Sequence, residues 1–453
     1  VIFRTTTRIN HSTGVVSLGD IRKPVTEGNF VKDPLNMVVV PAVARNLHVK
    51  LLKNYDAAQD LAEESEHNLI TGSGDMGIIC NGVSYNYVSD AVKDLDIVDK
   101  VRVLRMGFSH PLPPKLIKGF LTACRKVLIV EEGEPYMEEA VKAMAQEEGL
   151  VLPINGKADG LFTRLYEYNP AQVKQCIATY FDLAYTAPEV PDLADLPPVP
   201  QRPPTLCAGC SHRATYHEVK KATEGMDTIF PSDIGCYTLG LLPPLSAADF
   251  LICMGSSAGT AGGFSRVNPD KKVIAFIGDS TFFHSGIPGL INAVYNNHNF
   301  TLVILDNGTT AMTGHQPHPG VDMERMNMQG YGRVSIEKVV RAIGVEHVTL
   351  IKPYKVKKSV DAIKESISHK GVSVIISEEI CALYANALKR PKHKPFNITD
   401  KCKNHKTCIN SLACPAFYIW NDRVKIDANL CTGCAVCAQI CPENAILPVK
   451  AKA

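Results

Sequence analysis

Residues 273–309 read VIAFIGDSTFFHSGIPGLINAVYNNHNFTLVILDNGT, and this stretch decides the fold. Val273–Ile277 and Thr301–Leu305 are short apolar runs of the length and composition of buried strands. The helical pattern between them, from about Ile287 to Asn296, makes the unit β-α-β, which predicts a parallel sheet with a right-handed crossover. Asp279 and Asn307 follow the two strands, so we expect both at one sheet edge, where open α/β sheets bind ligands.

The same alternation of strands and helices extends to both sides of this stretch. Upstream, short apolar runs predict further buried strands near residues 69–71, 101–106 and 126–131. We therefore predict an α/β fold with two doubly wound parallel-sheet units and a small α+β domain, at residues 68–185, 205–390 and 400–453, respectively. The remaining segments are predicted to be the end of a preceding domain at 1–33, a connecting segment at 34–67 with a helix over 41–66, and a Pro-rich linker at 186–204.

Composition excludes several classes of protein. Of the 453 residues, 45% are hydrophobic and 21% are charged, as in a globular chain and not in a disordered one. The net charge of +2 gives no electrostatic support for binding nucleic acid or a membrane surface. The chain has 15 cysteines and no secretory signal pattern, which predicts metal or redox chemistry in the reducing cytoplasm.

The most specific signal lies in the C-terminal tail. Cys431, Cys434, Cys437 and Cys441, followed by Pro442, have the spacing of a bacterial ferredoxin motif. Zinc sites instead use paired C-x2-C knuckles separated by a longer loop, and four cysteines in eleven residues do not fit that pattern. The spacing favours an iron–sulfur cluster over zinc or free thiols.

A second, irregular motif precedes the first one. Cys402, Cys408 and Cys414 lack the expected middle cysteine, and His405 stands in its place. In two-cluster ferredoxins the last cysteine of each motif binds the other cluster. One predicted ligand set, called tail set two, is therefore Cys414, Cys431, Cys434 and Cys437. The other, tail set one, is Cys402, Cys408 and Cys441, and we predict His405 as its fourth ligand; the alternative is that His405 is a solvated loop residue beside a three-iron cluster.

Asp279 and Asn307 resemble the side-chain Mg²⁺ ligands of the thiamine diphosphate motif, and Thr309 matches its carbonyl ligand. Hard oxygen donors of this kind suit Mg²⁺, with phosphate oxygens completing the coordination. The alternative is an ordinary Gly-Asp turn and Asn-Gly turn without a ligand. The further cofactor-binding residues that we predict are Gly255, Ser256, Gly278, Ser280 and Thr313.

The segments around this motif resemble those of 2-oxoacid:ferredoxin oxidoreductases. Thr313–Gln316 matches a T-G-x-Q segment beside the cofactor, and Cys207–Cys210 matches the C-x-G-C that opens the thiamine-binding domain. The resemblance implies a third cluster close to thiamine, whose ligands form an inner set: Cys207, Cys210, Cys236 and Cys381. Zinc and unligated buried thiols are the alternatives.

Four histidines lie near these motifs: His212, His284, His315 and His318. We predict that at least one is functional, anchoring diphosphate or a substrate carboxylate, and favour His212 and His315 as catalytic residues by their position.

Taken over its whole length, the chain resembles the large subunits of indolepyruvate:ferredoxin oxidoreductases. Arg4–Arg8, Met106–Pro113 and Glu131–Pro135 are further matching segments. The resemblance implies a transketolase C-terminal-like domain at 68–185 and a thiamine diphosphate-binding domain at 205–390. It implies oxidative decarboxylation of an aryl 2-oxoacid to acyl-coenzyme A and CO₂, with electrons passing through clusters to ferredoxin. It also implies a small second subunit, with two copies of each.

Members of this family carry a pyrimidine-binding domain before the segment that Arg4–Arg8 matches. That domain supplies the glutamate that activates the cofactor, and we find no place for it in these residues. Two alternatives remain for function: another 2-oxoacid oxidoreductase, acting on pyruvate or phenylglyoxylate, or an electron-carrier subunit with a degenerate thiamine site. Asp279 and Asn307 argue against the second.

Overall fold

The computed structural model of the chain describes residues 10, 12–20, 28–187, 203–321, 332–389 and 393–449. Most of the predicted end of a preceding domain (1–33) and of the Pro-rich linker (186–204) lies outside the described residues. The chain divides into two compact units, Val1–Pro197 and Pro198–Ala453. The finer domain boundaries stay predictions.

The first unit contains a five-stranded sheet flanked by helices. Its strands are β1 Asn68–Thr71, β2 Met76–Asn81, β3 Val101–Met106, β4 Lys126–Val130 and β5 Ile154–Asn155. The helices are Pro34–Met37, Pro41–Glu63, Ser84–Asp94, Pro114–Thr122, Tyr136–Glu147 and Pro170–Tyr180. The strand order is β1-β3-β2-β4-β5, and alternate residues of β2 enter opposite cores, with Ile78 on one face and Ile79 on the other.

Two features of this sheet differ from the prediction. β2 was not predicted, and β1 pairs antiparallel with β3, whereas β2, β3, β4 and β5 pair in parallel. The short connection explains the direction of β1. Only Gly72–Asp75 separates β1 from β2, and a parallel crossover needs a dozen or more residues. β1 therefore runs opposite to β2, and so also opposite to β3, which is parallel to β2. Gly74 passes so close to β3 that a Cβ there would collide with the Lys100 carbonyl.

The second unit contains an all-parallel sheet of order β6-β7-β8-β10-β9. Its strands are β6 Thr228–Ile229, β7 Lys272–Gly278, β8 Phe300–Asp306, β9 His347–Ile351 and β10 Val372–Glu378. Its helices are Ser211–Ala222, Ser256–Val267, Ile287–Tyr295, Ile336–Ala342, Val356–Ser368 and Ala382–Ala387, with a 3₁₀ turn at Cys236–Leu241. Ile274 and Phe276 of β7 enter one core while Ala275 and Ile277 enter the other, so both faces are covered, as expected for a doubly wound sheet.

The helix after β7 begins earlier than predicted. We expected it from about residue 287, but Asp279–Thr281 already forms a helical turn, and a π turn at Phe282–Gly286 joins it to Ile287–Tyr295. Single π turns inside helices are frequent at functional sites.

The tail is a small α+β domain that packs on the second sheet's core. Its strands are β11 Phe396–Ile398, β12 Phe417–Trp420, β13 Arg423–Ile426 and β14 Ile446–Pro448, and its helices are Thr407–Leu412 and Val436–Ile440. β11 pairs antiparallel with β14, and β12 with β13. Leu412 and Val436 are buried in the core beneath the helix Ser211–Ala222. In the part of the chain that the structure describes, no helix has the length and apolarity needed to cross a bilayer.

Candidate functional site

Asp279 and Asn307 meet at the carboxyl edge of the second sheet. β7 and β8 are parallel neighbours, with Gly278 opposite Leu305. Asp279 directly follows β7, and Asn307 directly follows β8. Both side chains are nearly completely buried, and the Asn307 N–H donates to Asp279 Oδ2 at 3.1 Å. The structure therefore brings the predicted pair into direct contact.

Backbone N–H groups hold the Asp279 carboxylate in place. Ser280 donates to Oδ1 at 2.7 Å, and Gly308 donates to Oδ2 at 2.8 Å. His318 Nε2 lies 3.0 Å from the same Oδ2. The His318 Nδ1 accepts from the Gly320 N–H, so its Nε2 is the protonated nitrogen in the neutral ring.

A second carboxylate adds negative charge at this edge. Burial, and next the charge of Asp279, raises the pKa of Asp306 to about 7. A buried acid and a partly buried acid so close to each other fit a site for a cation, which relieves their repulsion. Thr309 is buried as well, and its N–H donates to Asn307 Oδ1 at 3.1 Å.

The four histidines occupy different places. His212 Nε2 lies 3.3 Å from Asn307 Nδ2, and burial lowers the pKa of His212 to about 4, so the ring is neutral near pH 7. His315 has a left-handed backbone and stacks on Tyr384 at 5.5 Å between ring centroids. His284 is exposed on the π turn. The structure thus places His212 and His318 at the Asp279–Asn307 pair, and His318 is the contact that the sequence did not single out.

The predicted residues Gly255 and Ser256 form the start of the helix Ser256–Val267. Asp233 fixes this start: its fully buried carboxylate accepts from the Gly255 N–H at 2.7 Å and from the Ser257 N–H at 3.0 Å. Gly255 has φ +86°, and a Cβ there would collide with Ser285 of the π turn after Asp279. A helix N-terminus next to the strand-end site is suited to phosphate. The sequence did not reveal this role of Asp233.

Thr313 lies in an exposed turn. Its hydroxyl donates to Gln316 Oε1 at 2.6 Å, and Gln316 Nε2 donates to the Thr313 carbonyl at 2.6 Å. These two bonds brace the turn that carries His315.

Several buried polar atoms around this edge have no hydrogen-bond partner among the described residues. They are His212 Nδ1, Ser257 Oγ, Ser285 Oγ and His315 Nδ1. Native proteins rarely leave such atoms unpaired, and a bound ion or ligand commonly explains them. Together with the two acids, they fit a Mg²⁺ ion with a diphosphate.

The inner set of cysteines comes together from three separate segments. Burial, and next the neighbouring Cys381 and Cys207, raises the pKa of Cys236. Burial also raises the pKa of Cys381, with smaller contributions from the nearby Cys207 and Asp279. Burial raises the pKa of Cys210 to about 12, and the Cys207 charge adds to that rise. The four thiols therefore share one neighbourhood next to Asp279.

Each tail set lines its own small pocket. Tail set two lines one together with Ala208 and Gly209, and the cysteines of tail set one line another together with His405. Within the described ranges, no three His, Cys, Asp or Glu side chains converge as ligands of a single metal ion.

His405 has a partner that the sequence did not reveal. Its Nε2 lies 3.0 Å from Glu443 Oε1, and Lys403 Nζ lies 3.2 Å from the other oxygen of the same carboxylate. A histidine that binds metal through one nitrogen commonly donates its other N–H to a carboxylate. The arrangement is compatible with the predicted role of His405, which stays a prediction.

Comparison with known proteins agrees with this geometry. Residues 233–377 match the family model of the thiamine pyrophosphate enzyme C-terminal TPP-binding domain, and residues 424–447 match the 4Fe-4S binding domain. The indolepyruvate oxidoreductase subunit IorA of Methanothermobacter thermautotrophicus is 44% identical over 457 residues, which cover 99% of this chain and 72% of that protein. The 2-oxoglutarate synthase subunit KorB of Archaeoglobus fulgidus is 28% identical over 182 residues, covering 38% of this chain and 68% of that one.

Among solved structures, the 2-oxoglutarate:ferredoxin oxidoreductase from Magnetococcus marinus has a TM-score of 0.37 and 22% identity, and covers 40% of this chain and 66% of that chain.

Fold and site define an oxidoreductase chain that combines a thiamine diphosphate-binding domain with an iron–sulfur domain. More particularly, the chain belongs to the family of indolepyruvate oxidoreductase subunits IorA. The resemblance and the fold class predicted from the sequence are thereby confirmed.

Proposed function

We propose that this chain catalyses the thiamine diphosphate-dependent oxidative decarboxylation of an aryl 2-oxoacid, such as indolepyruvate, to acyl-coenzyme A and CO₂. Electrons would pass through its iron–sulfur clusters to ferredoxin. The observation that carries the proposal is the contact of Asp279 with Asn307 at adjacent strand ends, next to the inner set of cysteines.

The cofactor would be held at the carboxyl edge of the second sheet. Asp279, Asn307 and the Thr309 carbonyl are the proposed Mg²⁺ ligands, since hard oxygen donors with bound phosphates suit this ion. The remaining proposed contacts with the cofactor come from Gly255, Ser256, Gly278, Ser280 and Thr313. When bound, thiamine diphosphate supplies an electron sink for the bonding electrons released as CO₂ leaves.

The protein's own groups orient and shield this site. Asp233 fixes the helix start that faces phosphate, and His318 braces the Asp279 carboxylate from its other side. His212 is neutral because it is buried, so it can exchange hydrogen bonds with substrate without adding a positive charge. His212 and His315 remain the proposed catalytic histidines.

The three cysteine sets support a role in one-electron transfer. The inner set lies next to Asp279, and tail set two lines a pocket whose wall includes Ala208 and Gly209 of the inner-set loop. We propose that electrons leave the thiamine site through the inner cluster and reach ferredoxin through the tail. An electron carrier with a degenerate thiamine site is disfavoured because the Asp279–Asn307 pair is fully formed.

Partners and location follow from the family. We propose a small second subunit, two copies of each chain, and a cytoplasmic location. Coenzyme A and an aryl 2-oxoacid are the proposed substrates, with pyruvate and phenylglyoxylate as the competing 2-oxoacids.

The test is anaerobic co-purification with the second subunit, followed by analysis of thiamine, iron and sulfide and a panel of 2-oxoacids with ferredoxin reduction as the readout. We expect indolepyruvate or phenylpyruvate to be turned over faster than pyruvate. Faster turnover of pyruvate would reject the aryl specificity, and absence of bound thiamine with full iron content would favour the electron carrier.

A further inference from the structure

Arg213 is a buried arginine that connects two parts of the chain carrying different cysteine sets. It lies in the first turn of the helix Ser211–Ala222 and is 5% exposed. Its Nη1 donates to the carbonyls of Leu412 and Ala413, the latter at 2.7 Å, directly before Cys414. One half of the guanidinium therefore holds the backbone that leads into tail set two.

The other half of the same guanidinium holds the backbone that leads into the inner set. Its Nη2 donates to the carbonyl of Leu206, directly before Cys207, and lies 3.5 Å from Thr205 Oγ1. The Nε–H has no partner within the described part of the chain, which leaves one donor for a sulfur acceptor.

The thiols next to Arg213 come from both sets. Its electrostatic partners include Cys207 and Cys210 of the inner set, and Cys414 and Cys434 of tail set two. Burial lowers the pKa of Arg213, but an arginine starts so high that the guanidinium stays charged near neutral pH, so a cation lies between the two sets.

The two cysteine loops also touch directly. Gly209 has φ +67°, and a Cβ at this position would collide with Thr432, between Cys431 and Cys434. The Tyr354 hydroxyl donates to the Gly209 carbonyl at 2.6 Å and holds the loop. Arg213 itself is buried, so its charge lies within protein, where it acts more strongly than in water.

We propose that Arg213 is a positioning residue for electron transfer, which holds the inner set against tail set two and stabilises the reduced state of both clusters. This inference rests on the proposed function. Each one-electron reduction adds one negative charge to a cluster, and a fixed cation next to it favours that state. When one electron moves between the clusters, one is oxidised and the other reduced under the field of the same cation, and no proton is needed.

The experiment is an EPR-monitored redox titration of the complete two-subunit enzyme, purified anaerobically. Arg213→Gln keeps hydrogen-bond donors but removes the charge. Arg213→Lys keeps the charge but loses the planar group whose two ends donate to the two backbone segments. Arg341→Gln is the matched control, because Arg341 is an exposed arginine paired with Glu337. Iron, sulfide and thiamine contents are measured on every sample.

In Arg213→Gln with full iron content, we expect the reduction equilibria of the inner cluster and the tail-set-two cluster to fall about tenfold, which is about 59 mV for one electron. Tail set one should shift less, and Arg213→Lys should keep potentials close to wild type. Unchanged potentials in a fully loaded Arg213→Gln would overturn the inference.

If Arg213→Gln loses its clusters, the iron content and potentials of Arg213→Lys test the inference instead. Restored iron with wild-type potentials supports the inference, and loss of iron in both variants overturns the electrostatic role. A wild-type enzyme without clusters or thiamine would instead reject the proposed function, so the two failures are distinguishable.

Discussion

At the scale of single residues, two neighbouring acids at the thiamine site differ in how many backbone N–H groups donate to them. Asp279 accepts hydrogen bonds from the backbone of Ser280, Asn307 and Gly308, whereas Asp306 accepts one from Gly308 at 3.2 Å. Burial and the Asp279 charge together raise the pKa of Asp306 to about 7. Asp279, which accepts more of these hydrogen bonds, is the carboxylate that the sequence motif assigns to Mg²⁺.

Asp279→Asn should lower the retention of thiamine diphosphate by about tenfold or more, because it removes the only charge among the proposed Mg²⁺ ligands. The tail clusters should stay intact. The measurement is bound thiamine per iron after anaerobic purification, with Asp270→Asn as an exposed control. Normal thiamine content in Asp279→Asn would rule out the assignment.

His405 should ligate the fourth iron of the cluster on tail set one. Exchanging an anionic thiolate for a neutral imidazole stabilises the reduced cluster, so His405→Cys should lower its potential and His405→Ala should favour a three-iron form. EPR-monitored titration checks both. A three-iron signal of full occupancy in strictly anaerobic wild-type protein would show that His405 is not a ligand.

The residue pairs that the sequence revealed are those carried by a short motif. Asp279 and Asn307 could be predicted because consecutive parallel strands end at one edge. The contacts of Asp233, His318 and Glu443 could not, because each meets its partner through tertiary packing between separate segments. No local pattern marks such a contact.

At the scale of elements, the helix Ser211–Ala222 connects the thiamine edge with the tail. It begins directly after Cys210, carries His212 and Arg213 in its first turn, and packs against the helix Val356–Ser368. Glu218, completely buried in this helix, has its pKa raised to about 9 by burial, while the Ser359 hydroxyl opposes part of that effect. The folded chain thus keeps Glu218 protonated at neutral pH.

Glu218 gives a pH dependence of stability with a definite sign. Its pKa is higher in the folded than in the unfolded chain, so its contribution is complete below the ordinary value of 4.5 and is lost as the pH rises towards 9. Within that window the free energy of unfolding should fall by up to about 1.4 kcal/mol per pH unit.

Glu218→Gln should remove this dependence, since glutamine stays neutral at every pH. Denaturant midpoints at pH 6 and pH 8 should differ less in the variant than in wild type, and the variant should gain relative stability at pH 8. Exposed Glu224→Gln is the control, and parallel pH profiles for wild type and Glu218→Gln would contradict the prediction.

Strand positions were predictable where a strand buried on both faces is also an unbroken apolar run, as in β7 and β8. β2 was missed because glycines and polar residues surround it, and the direction of β1 depends on a short connection. The early start of the helix at Asp279 could not be predicted, since Asp-Ser-Thr also reads as a turn.

At the scale of the whole second unit, cysteines from its beginning lie close to cysteines of its C-terminal tail. Cys207 and Cys210 precede the first helix, Cys381 follows the last strand of the sheet, and the tail cysteines come after that. The spacing in the sequence gave the tail sets directly. The inner set depended on family resemblance, because its members are dispersed along the domain.

Cys381→Ala should cost about a third of the iron, because the proposed inner cluster is one of three. Cys253→Ala is the control, since Cys253 is exposed and belongs to none of the sets. Iron and sulfide per chain, measured anaerobically, check the prediction. Equal iron in the two variants would remove Cys381 from the ligand set.

The close approach of Gly209 to Thr432 has a consequence for engineering. A foreign ferredoxin grafted in place of the tail would have to fit its cysteine loop against Gly209, as Thr432 does, and present carbonyls where Leu412 and Ala413 lie. A chimaera that matches the cysteine spacing alone would lack these contacts between the tail and the rest of the unit. The tail is therefore fitted to its own thiamine-binding domain and cannot be exchanged for another ferredoxin on cysteine spacing alone.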